Sequence, residues 1–276
     1  MTRAGRASSL LKGNAPLVAL GCVLGVFLAL PFLGLLVTTS WRDFVDGLAH
    51  PLVWPALRLS LLTTTASLFI VVVLGAPLAW MLARAPGRLA RFVETFIQLP
   101  VVIPPAVAGV ALLLAFGRRG LLASLVDPAD WSVSFTTAAV VMAEVFVSAP
   151  FFVGAATSAF RRVDQNLFVV ARSFGASPLR LFLRIGLPLA APGLIAGAAM
   201  SWARALGEFG ATLMFAGNLT GETQTLPLAI YTALESDLRA AQALSLILVA
   251  VAFSLLLGVR AGVTVGASRL SSEQRG

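Results

Sequence analysis

Residues 161–189 read RRVDQNLFVVARSFGASPLRLFLRIGLPL and separate two apolar runs, at 133–159 and 190–217. Each flanking run is long enough to cross the roughly 30 Å hydrocarbon core of a bilayer, because an α-helix rises about 1.5 Å per residue. The quoted segment itself carries five arginines. It is therefore expected to lie at the membrane surface, where it joins two membrane-spanning helices.

The 161–189 segment has the start and stop residues of two short helices. Asp164 is placed to cap the first helix, and Gly175 interrupts it. Ser177 followed by Pro178 starts the second, with serine at the cap and proline in the first turn. We expect this helix to run as LRLFLRIGL and to end before Pro188. Such an element suits docking of a partner protein, and a non-specific helix lying in the membrane interface is the alternative.

The composition of the whole chain indicates a membrane protein. Of its 276 residues 58% are hydrophobic and 12% charged, whereas a soluble domain has about 25% charged residues. The apolar runs are continuous rather than alternating, which excludes a β-barrel. We therefore expect an all-α integral membrane fold: a cytoplasmic tail at 1–15, one transmembrane domain at 16–260 and a second tail at 261–276. The predicted spans are 16–40, 56–83, 92–116, 133–159, 190–217 and 241–260.

The distribution of basic residues predicts the orientation. Fourteen of the 20 lysines and arginines lie in the two tails, in residues 84–91 and in the 161–189 segment, when Arg260 at the end of the sixth span is counted with the C-terminal tail. Five lie on the other side and one, Arg204, lies within the fifth span. Because cytoplasmic loops are enriched in basic residues, both termini are expected inside the cell. The net charge of +8 thus reflects topology and does not indicate a nucleic-acid partner.

The sequence offers few groups for chemistry. It has one histidine, His50, and one cysteine, Cys22, so a zinc site, a haem site or a Ser-His-Asp triad is not expected. It has no GxxxxGK[ST] phosphate loop. We expect no catalytic residue, no metal site and no cofactor in this chain.

Prolines are concentrated in the predicted third span. Pro100, Pro104 and Pro105 interrupt helical hydrogen bonding, so they should kink or break the helix. A break lining a cavity and a simple packing kink are both compatible with the sequence.

The 161–189 segment resembles the cytoplasmic signature loop of type I ABC importer permeases. That signature reads Glu-Ala-Ala, three residues, Gly, nine residues, Ile, any residue, Leu, Pro. This chain matches five of the seven positions and has Val169 and Val170 in place of the first Glu and Ala. The resemblance implies a coupling helix that sits in a cleft of a separate ABC ATPase, which would hold ATP and magnesium. The residues assigned to this coupling loop are Ala171, Gly175, Ala176, Ser177, Ile185, Leu187 and Pro188.

Residues 203–237, ARALGEFGATLMFAGNLTGETQTLPLAIYTALESD, resemble molybdate permeases and, more loosely, sulfate permeases. The resemblance implies an inner-membrane, multi-pass permease that pairs with a second copy of itself. An external molybdate-binding protein would deliver the oxyanion, molybdate and also tungstate. The pore or gate candidates are Arg204, Glu208, Phe209 and Gly210. A sulfate or thiosulfate permease of the same architecture is the nearest alternative.

Arg204 and Glu208 are four residues apart, on one face of a predicted helix near the middle of the bilayer. They could form an ion pair that locks helix packing, or they could line the gate. Gly193, Gly197, Gly207 and Gly210 give the same helix a small face, which we interpret as the homodimer or pore seam. Glu144, the other mid-membrane charge, suggests a different class of protein, a proton-coupled carrier that uses it as a relay.

Overall fold

The computed structural model describes residues 15–124 and 133–273, and the side chains of residues 16–258 within those ranges. Every regular element in these ranges is helical. A 3₁₀ turn at Leu122–Ser124 and a π-helical segment at Phe182–Gly186 accompany the α-helices. The α-helices are α1 Ala15–Thr38, α2 Trp41–Leu48, α3 Val53–Arg84, α4 Arg88–Ile97, α5 Leu99–Val102, α6 Pro105–Phe116, α7 Thr137–Arg161, α8 Gln165–Ser173, α9 Pro178–Leu181, α10 Leu187–Leu206, α11 Gly210–Ala216, α12 Leu226–Ser236 and α13 Leu238–Glu273.

Five continuous helical stretches within the described ranges are long and apolar enough to cross a membrane. A sixth arises if Arg88–Val102 and Pro105–Phe116 are counted as one bent span. The prediction of an all-α membrane fold with about six spans is confirmed. The five stretches are Pro16–Thr38, Val53–Arg84, Thr137–Arg161, Pro178–Leu206 and Leu238–Gly258.

The first span stands apart from the others. None of the most apolar window of Pro16–Thr38 is buried inside the chain, whereas half of that in Thr137–Arg161 is. Its side chains, such as Leu20 and Phe27, are exposed along the whole helix. Because lipid solvates apolar side chains, this exposure is compatible with a membrane and not with water.

The predicted third span is broken, not merely kinked. The helices before and after Pro104 are inclined by 115°. Ile103 and Pro104 have extended backbones, with ψ of 143° and 137°. Pro104 and Pro105 both lack an N–H, so the helical hydrogen bonds that would carry the helix through this point cannot form.

The helix over the predicted fifth span has other bounds than the apolar run at 190–217. It continues from Pro178 through Pro188 to Leu206, instead of starting after Pro188. The reason is the π-helical segment, in which the N–H of Leu187 donates to the carbonyl of Phe182. Pro188 then occupies the first turn of α10, where a missing N–H does not break an α-helical bond. At the other end, the helix stops at Leu206 and α11 starts only at Gly210.

The two predicted tails, at 1–15 and 261–276, differ in how much of each the structure describes. Residues 1–14 of the predicted N-terminal tail lie outside the described residues. The last helix starts at Leu238 and extends to Glu273, so the expected end of the sixth span at residue 260 is not a helix end.

Small residues bring the helices close together. A β-carbon on Gly193 would lie 2.5 Å from Ala159 Cβ, and one on Gly197 would lie 2.8 Å from Ala155 Cβ. Both glycines therefore pack against α7 of the same chain, and for Gly193 and Gly197 the interpretation as a homodimer or pore seam was wrong. Interfaces of small residues are typical of membrane helices, where van der Waals contact drives association.

The second close contact joins α6 to α11. A β-carbon on Gly109 would lie 2.7 Å from the carbonyl oxygen of Ala211 and 2.6 Å from Met214 Cβ. Ala108, Ala211 and Phe215 are buried in the same cluster. The short helices α6 and α11, each of which follows an interruption of a longer helix, thus pack directly on each other.

We predict that Gly109→Ala lowers the melting temperature of the detergent-solubilised protein, because a main-chain carbonyl cannot move aside for the added methyl group. Overpacking of this kind costs about 1–3 kcal/mol. Gly34→Ala in α1 is the matched control, since a β-carbon there meets nothing within 4 Å. Equal melting temperatures for the two variants would contradict the close packing of α6 on α11.

Candidate functional site

The turn between α8 and α9 is a Schellman motif, a common helix C-terminus closed by two main-chain hydrogen bonds. The N–H of Gly175 donates to the carbonyl of Arg172 at 2.9 Å, and that of Ala176 donates to the carbonyl of Ala171 at 3.0 Å. Gly175 has φ +78°, the left-handed conformation that this motif requires. Ala171, Gly175 and Ala176 therefore fix the shape of the turn.

Both predicted helix caps are confirmed. Asp164 Oδ1 accepts from the N–H of Asn166 at 2.9 Å at the start of α8. Ser177 Oγ accepts from the N–H of Arg180 at 3.4 Å, and Pro178 lies in the first turn of α9. The 161–189 segment is thus a compact helix–turn–helix that leads directly into the following span.

The last three residues assigned to the coupling loop shape the entry to that span. Ile185 and Leu187 are half-buried against the core cluster of α3, α7 and α8. Pro188 lies just after the π-helical segment. Most of the residues in the signature positions thus set backbone geometry and packing, and the surface between them is made by other side chains.

Trp80, near the end of α3, holds the 161–189 segment against the spans. Its ring lies 5.3 Å from that of Phe160, 5.5 Å from Phe168 and 5.3 Å from Phe182, all edge-on. Edge-on aromatic pairs at these distances are favourable beyond their buried area. The indole also fills the space where a β-carbon of Gly186 would lie. This cluster joins α3, α7, α8 and the π-helical segment.

Arg84 covers the same cluster from the end of α3. Its guanidinium carbon lies 3.0 Å from the centre of the Trp80 ring and 4.2 Å from that of Phe168. This is a cation–π arrangement on two rings at once. Sequence reasoning missed Trp80 and Arg84, although an aromatic residue four positions before an arginine in the last turn of a helix indicates such a contact.

The second candidate site is the break between α10 and α11. Arg204 Nη1 lies 2.6 Å from Glu208 Oε2, so the predicted ion pair forms. Glu208 lies beyond the end of α10, however, and its Oε1 accepts from the N–H of Ala211 at 2.7 Å. The two residues therefore do not share a helix face: Glu208 leaves the helix because it caps α11.

The pair also lies far from the 161–189 segment. Arg204 is near the C-terminal end of the continuous helix Pro178–Leu206, roughly 40 Å from its start at 1.5 Å per residue. The predicted position of the pair near the middle of the bilayer stays a prediction.

Phe209 and Gly210 connect this break to its surroundings. The ring of Phe209 lies 5.5 Å from that of Tyr231 in α12. A β-carbon on Gly210 would lie 2.9 Å from Pro105 Cβ. The break after α10 therefore lies against the break before α6, so the two interrupted helices meet at one place.

The electrostatics of this meeting point favour an internal ion pair. The side chain of Glu208 is 1% exposed and that of Arg204 26% exposed. A carboxylate at 2.6 Å neutralises the guanidinium, so Arg204 offers little free charge to a passing anion. The pair can lock the break, or open it if the two side chains separate.

Glu144 belongs to a buried polar layer between α3, α7 and α10. Its side chain is 1% exposed, and its Oε1 accepts from Thr63 Oγ1 at 2.8 Å. Nearby, Ser201 Oγ donates to the carbonyl of Ser148 at 3.0 Å. The ion pairs among the described residues do not include Glu144. These contacts join α7 to α3 and to α10.

The described residues contain no group of three or more His, Cys, Asp or Glu side chains placed to hold a metal ion. The two candidate sites are the helix–turn–helix of the 161–189 segment, at one end of a long helix, and an ion-paired break at the other.

Residues 72–265 match the family described as binding-protein-dependent transport system inner membrane component. The chain belongs to this family. It is accordingly a multi-pass inner-membrane permease subunit with the fold of ABC importers.

Relatives of known name cover most of the chain. The molybdenum transport system permease protein ModB of Mycobacterium tuberculosis is 45% identical, over 87% of this chain and 91% of that protein. The molybdate/tungstate transport system permease protein WtpB of Pyrococcus abyssi is 36% identical, over 88% and 92%. A probable transport system permease protein, NifC of Clostridium pasteurianum, is 35% identical over 94% and 91%.

Solved structures agree on the fold. A chain of a bacterial ABC transporter involved in the import of alginate superposes with a TM-score of 0.73 over 94% of this chain and 98% of that chain, at 16% identity. A chain of the MetNI methionine ABC transporter, in an inward-facing conformation, gives 0.62 over 78% and 95%, at 20% identity. Both are type I ABC importer permeases in architecture.

We predict that Arg204→Ala destabilises the permease by about 3 kcal/mol, because it leaves the buried carboxylate of Glu208 without its cation. Thermal unfolding in detergent measures the loss. The double variant Arg204→Met, Glu208→Gln should recover part of it, since the amide oxygen can still accept from the N–H of Ala211. Wild-type stability of Arg204→Ala would exclude an important role for the pair.

We predict that Glu144→Gln retains transport at every pH between 6 and 8, because the amide oxygen accepts the Thr63 hydrogen bond in the same place. A proton relay requires a carboxyl group and would lose transport in this variant. Uptake at a series of pH values, with and without an imposed proton gradient, separates the two outcomes. Glu144→Leu is the control that removes the hydrogen bond as well.

Proposed function

We propose that this protein is the permease subunit of an ATP-driven importer of molybdate and also tungstate. The observation that carries the proposal is the 45% identity, over 87% of the chain, to a permease named for molybdenum transport. The similarity to a molybdate/tungstate permease over 88% of the chain supports the same substrate class.

The active assembly contains more than this chain. Two copies of the permease form the pore, two ABC ATPase subunits dock on the 161–189 segments, and an external binding protein delivers the oxyanion. The distribution of arginines supports the orientation, with the 161–189 segment and both termini in the cytoplasm. ATP and magnesium are bound by the ATPase, so this chain is a pore subunit and not an enzyme by itself.

The geometry of the chain suggests how the ATPase drives it. When ATP brings the two ATPase subunits together, the 161–189 segments move with them. Each segment continues without interruption into the helix Pro178–Leu206, at whose far end lie Arg204 and the break before α11. A movement of the 161–189 segment at the cytoplasmic surface would therefore displace the interruption between α10 and α11. Opening and closing at this point would expose the pore alternately to the two sides.

Selectivity is assigned mainly to the external binding protein. In this chain the guanidinium of Arg204 is already paired with Glu208, so few fixed charges remain to recognise a tetrahedral oxyanion. A pore that released its cargo slowly would also limit transport. A sulfate or thiosulfate importer of the same architecture is the alternative that substrate competition must address.

Uptake in proteoliposomes tests the function. The permease, its cognate ABC ATPase and the binding protein are reconstituted, and radiolabelled molybdate uptake is measured with ATP inside. We expect ATP-dependent uptake that excess unlabelled tungstate suppresses and excess sulfate does not. Strong suppression by sulfate, with weak suppression by molybdate itself, would assign the chain to the sulfate branch.

We predict that Gly175→Asp abolishes ATP-dependent uptake while the permease still folds. Asp tolerates the left-handed conformation at a cost of about 1–2 kcal/mol, and no atom lies within 4 Å of the new β-carbon. The added carboxylate would instead obstruct docking of the ATPase.

Gly221→Asp is the matched control for this variant. Gly221 has φ +83° and equally open surroundings, but it lies in the loop between α11 and α12, on the side opposite to the 161–189 segment. Both variants should show similar melting temperatures, and only Gly175→Asp should lose uptake. Normal uptake by Gly175→Asp would remove the coupling role of the segment.

A further inference from the structure

The 161–189 segment presents large apolar side chains to its surroundings. Phe174 is 85% exposed and stands at the last position before the left-handed Gly175. The other members of this surface, which we call the Phe174 surface, are Val169 at 66%, Val170 at 55% and Leu179 at 65%.

The exposure follows from how α8 is held. Phe168 is buried against Trp80, and Leu181 of α9 is buried in the same cluster. These two side chains anchor the inner side of the helix–turn–helix. The opposite side, with Val169, Val170 and Phe174, is therefore left without an intramolecular partner. An exposed apolar surface that a rigid frame holds in place is typical of a binding site for another protein.

The polar residues around the Phe174 surface argue against burial in lipid. Arg162, Gln165, Asn166 and Arg172 are all exposed on or next to the same short helix. A helix lying in the membrane interface keeps its polar residues on one side and its apolar residues on the other. The helix neighbours of Val169, three and four residues away, are Gln165, Asn166, Arg172 and Ser173, and all four are exposed. This apolar side chain therefore stands among polar ones, which suits a cleft with a polar rim better than a bilayer.

The charged residues around the Phe174 surface, which form its rim, are mostly positive. The 161–189 segment contains five arginines and one acidic residue, Asp164, which is used as a helix cap. Arg161 is paired with Glu94 at 2.9 Å. Arg162, Arg172 and Arg180 are exposed, and the described ion pairs include none of them. A complementary partner surface is therefore acidic around an apolar centre.

We infer that the ATPase cleft that receives this segment is an apolar pocket with an acidic rim, and that Phe174 is its main anchor. The inference rests on the proposed function and specifies the chemistry of that contact. The first position of the signature, glutamate in the family pattern, is Val169 here and lies within the Phe174 surface. Docking in this protein thus depends on apolar burial at a position where the family pattern has a charge.

Binding of the purified cognate ABC ATPase to the permease in nanodiscs tests the inference. We expect Phe174→Ser to raise the dissociation constant about tenfold or more, as for an anchor at the centre of an interface. Leu89→Ser is the matched control, since Leu89 is 76% exposed in α4, outside the 161–189 segment. Equal dissociation constants for the two variants would overturn the assignment of Phe174.

Val169→Glu provides a second and opposite test. It restores the residue of the family signature, so a cleft built for a glutamate would bind this variant more tightly. An apolar cleft with an acidic rim should bind it several times more weakly, because the new charge is desolvated next to like charge. Tighter binding would overturn the inference.

Thiol accessibility distinguishes the ATPase from lipid as the occupant. Cys22 is the only cysteine, so Cys22→Ser gives a background in which Leu179→Cys, on the Phe174 surface but not its anchor, is labelled alone. A water-soluble maleimide should react rapidly in nanodiscs, and the cognate ATPase should slow the reaction about tenfold or more, a protection of about 1.4 kcal/mol. Slow reaction before the ATPase is added would show insertion into the bilayer and overturn the inference.

The outcomes also separate this inference from the proposed function. If the ATPase binds the wild-type permease and the Phe174→Ser variant equally, the chemistry of the contact is wrong but the assembly stands. If the ATPase does not bind the wild-type permease at all, the proposed function itself fails.

Discussion

The indole of Trp80 is the contact on which the position of the 161–189 segment depends. Four elements meet on its two faces and edges: α3, which carries it, α7 through Phe160, α8 through Phe168, and the π-helical segment through Phe182 and Gly186. The 161–189 segment has few other buried side chains, so this cluster determines its position relative to the spans. Because aromatic edges pack in defined directions, the joint is stiff as well as apolar.

The Trp80 cluster holds one end of the helix Pro178–Leu206, and the other end of that helix leads into a region of interrupted helices. Two helices are interrupted, at Pro104 and at Gly207, and the half-helices that follow them pack on each other. Interrupted helices expose main-chain groups, which in a membrane is tolerated where protein or water covers them. The chain thus combines a continuous helix, Pro178–Leu206, with interrupted helices at its C-terminal end. In the proposed mechanism, motion applied to this helix would be concentrated at its end, where hydrogen bonding is already incomplete.

The sequence predicted those features that depend on local chemistry or on the solvent. Lipid requires long apolar helices, so the number of spans could be counted, and the caps at Asp164 and Ser177 follow from neighbouring residues. Features decided by contacts between distant residues were missed or misplaced. Pro188 does not end its helix because a π-turn precedes it. Glu208 leaves its helix to cap the next one, and Gly193 faces the same chain. The Trp80 cluster joins residues about a hundred positions apart.

The short segment around the Schellman turn at Gly175 contains two groups of residues, one that fixes its shape and one that forms its outer surface. Main-chain hydrogen bonds and small residues keep its shape, whereas the outward side chains around Phe174 contribute little to folding. Exchange of those outward residues would therefore alter the choice of motor without rebuilding the channel. Importers that share one membrane can in this way keep their subunits from mixing, through differences at a handful of exposed positions.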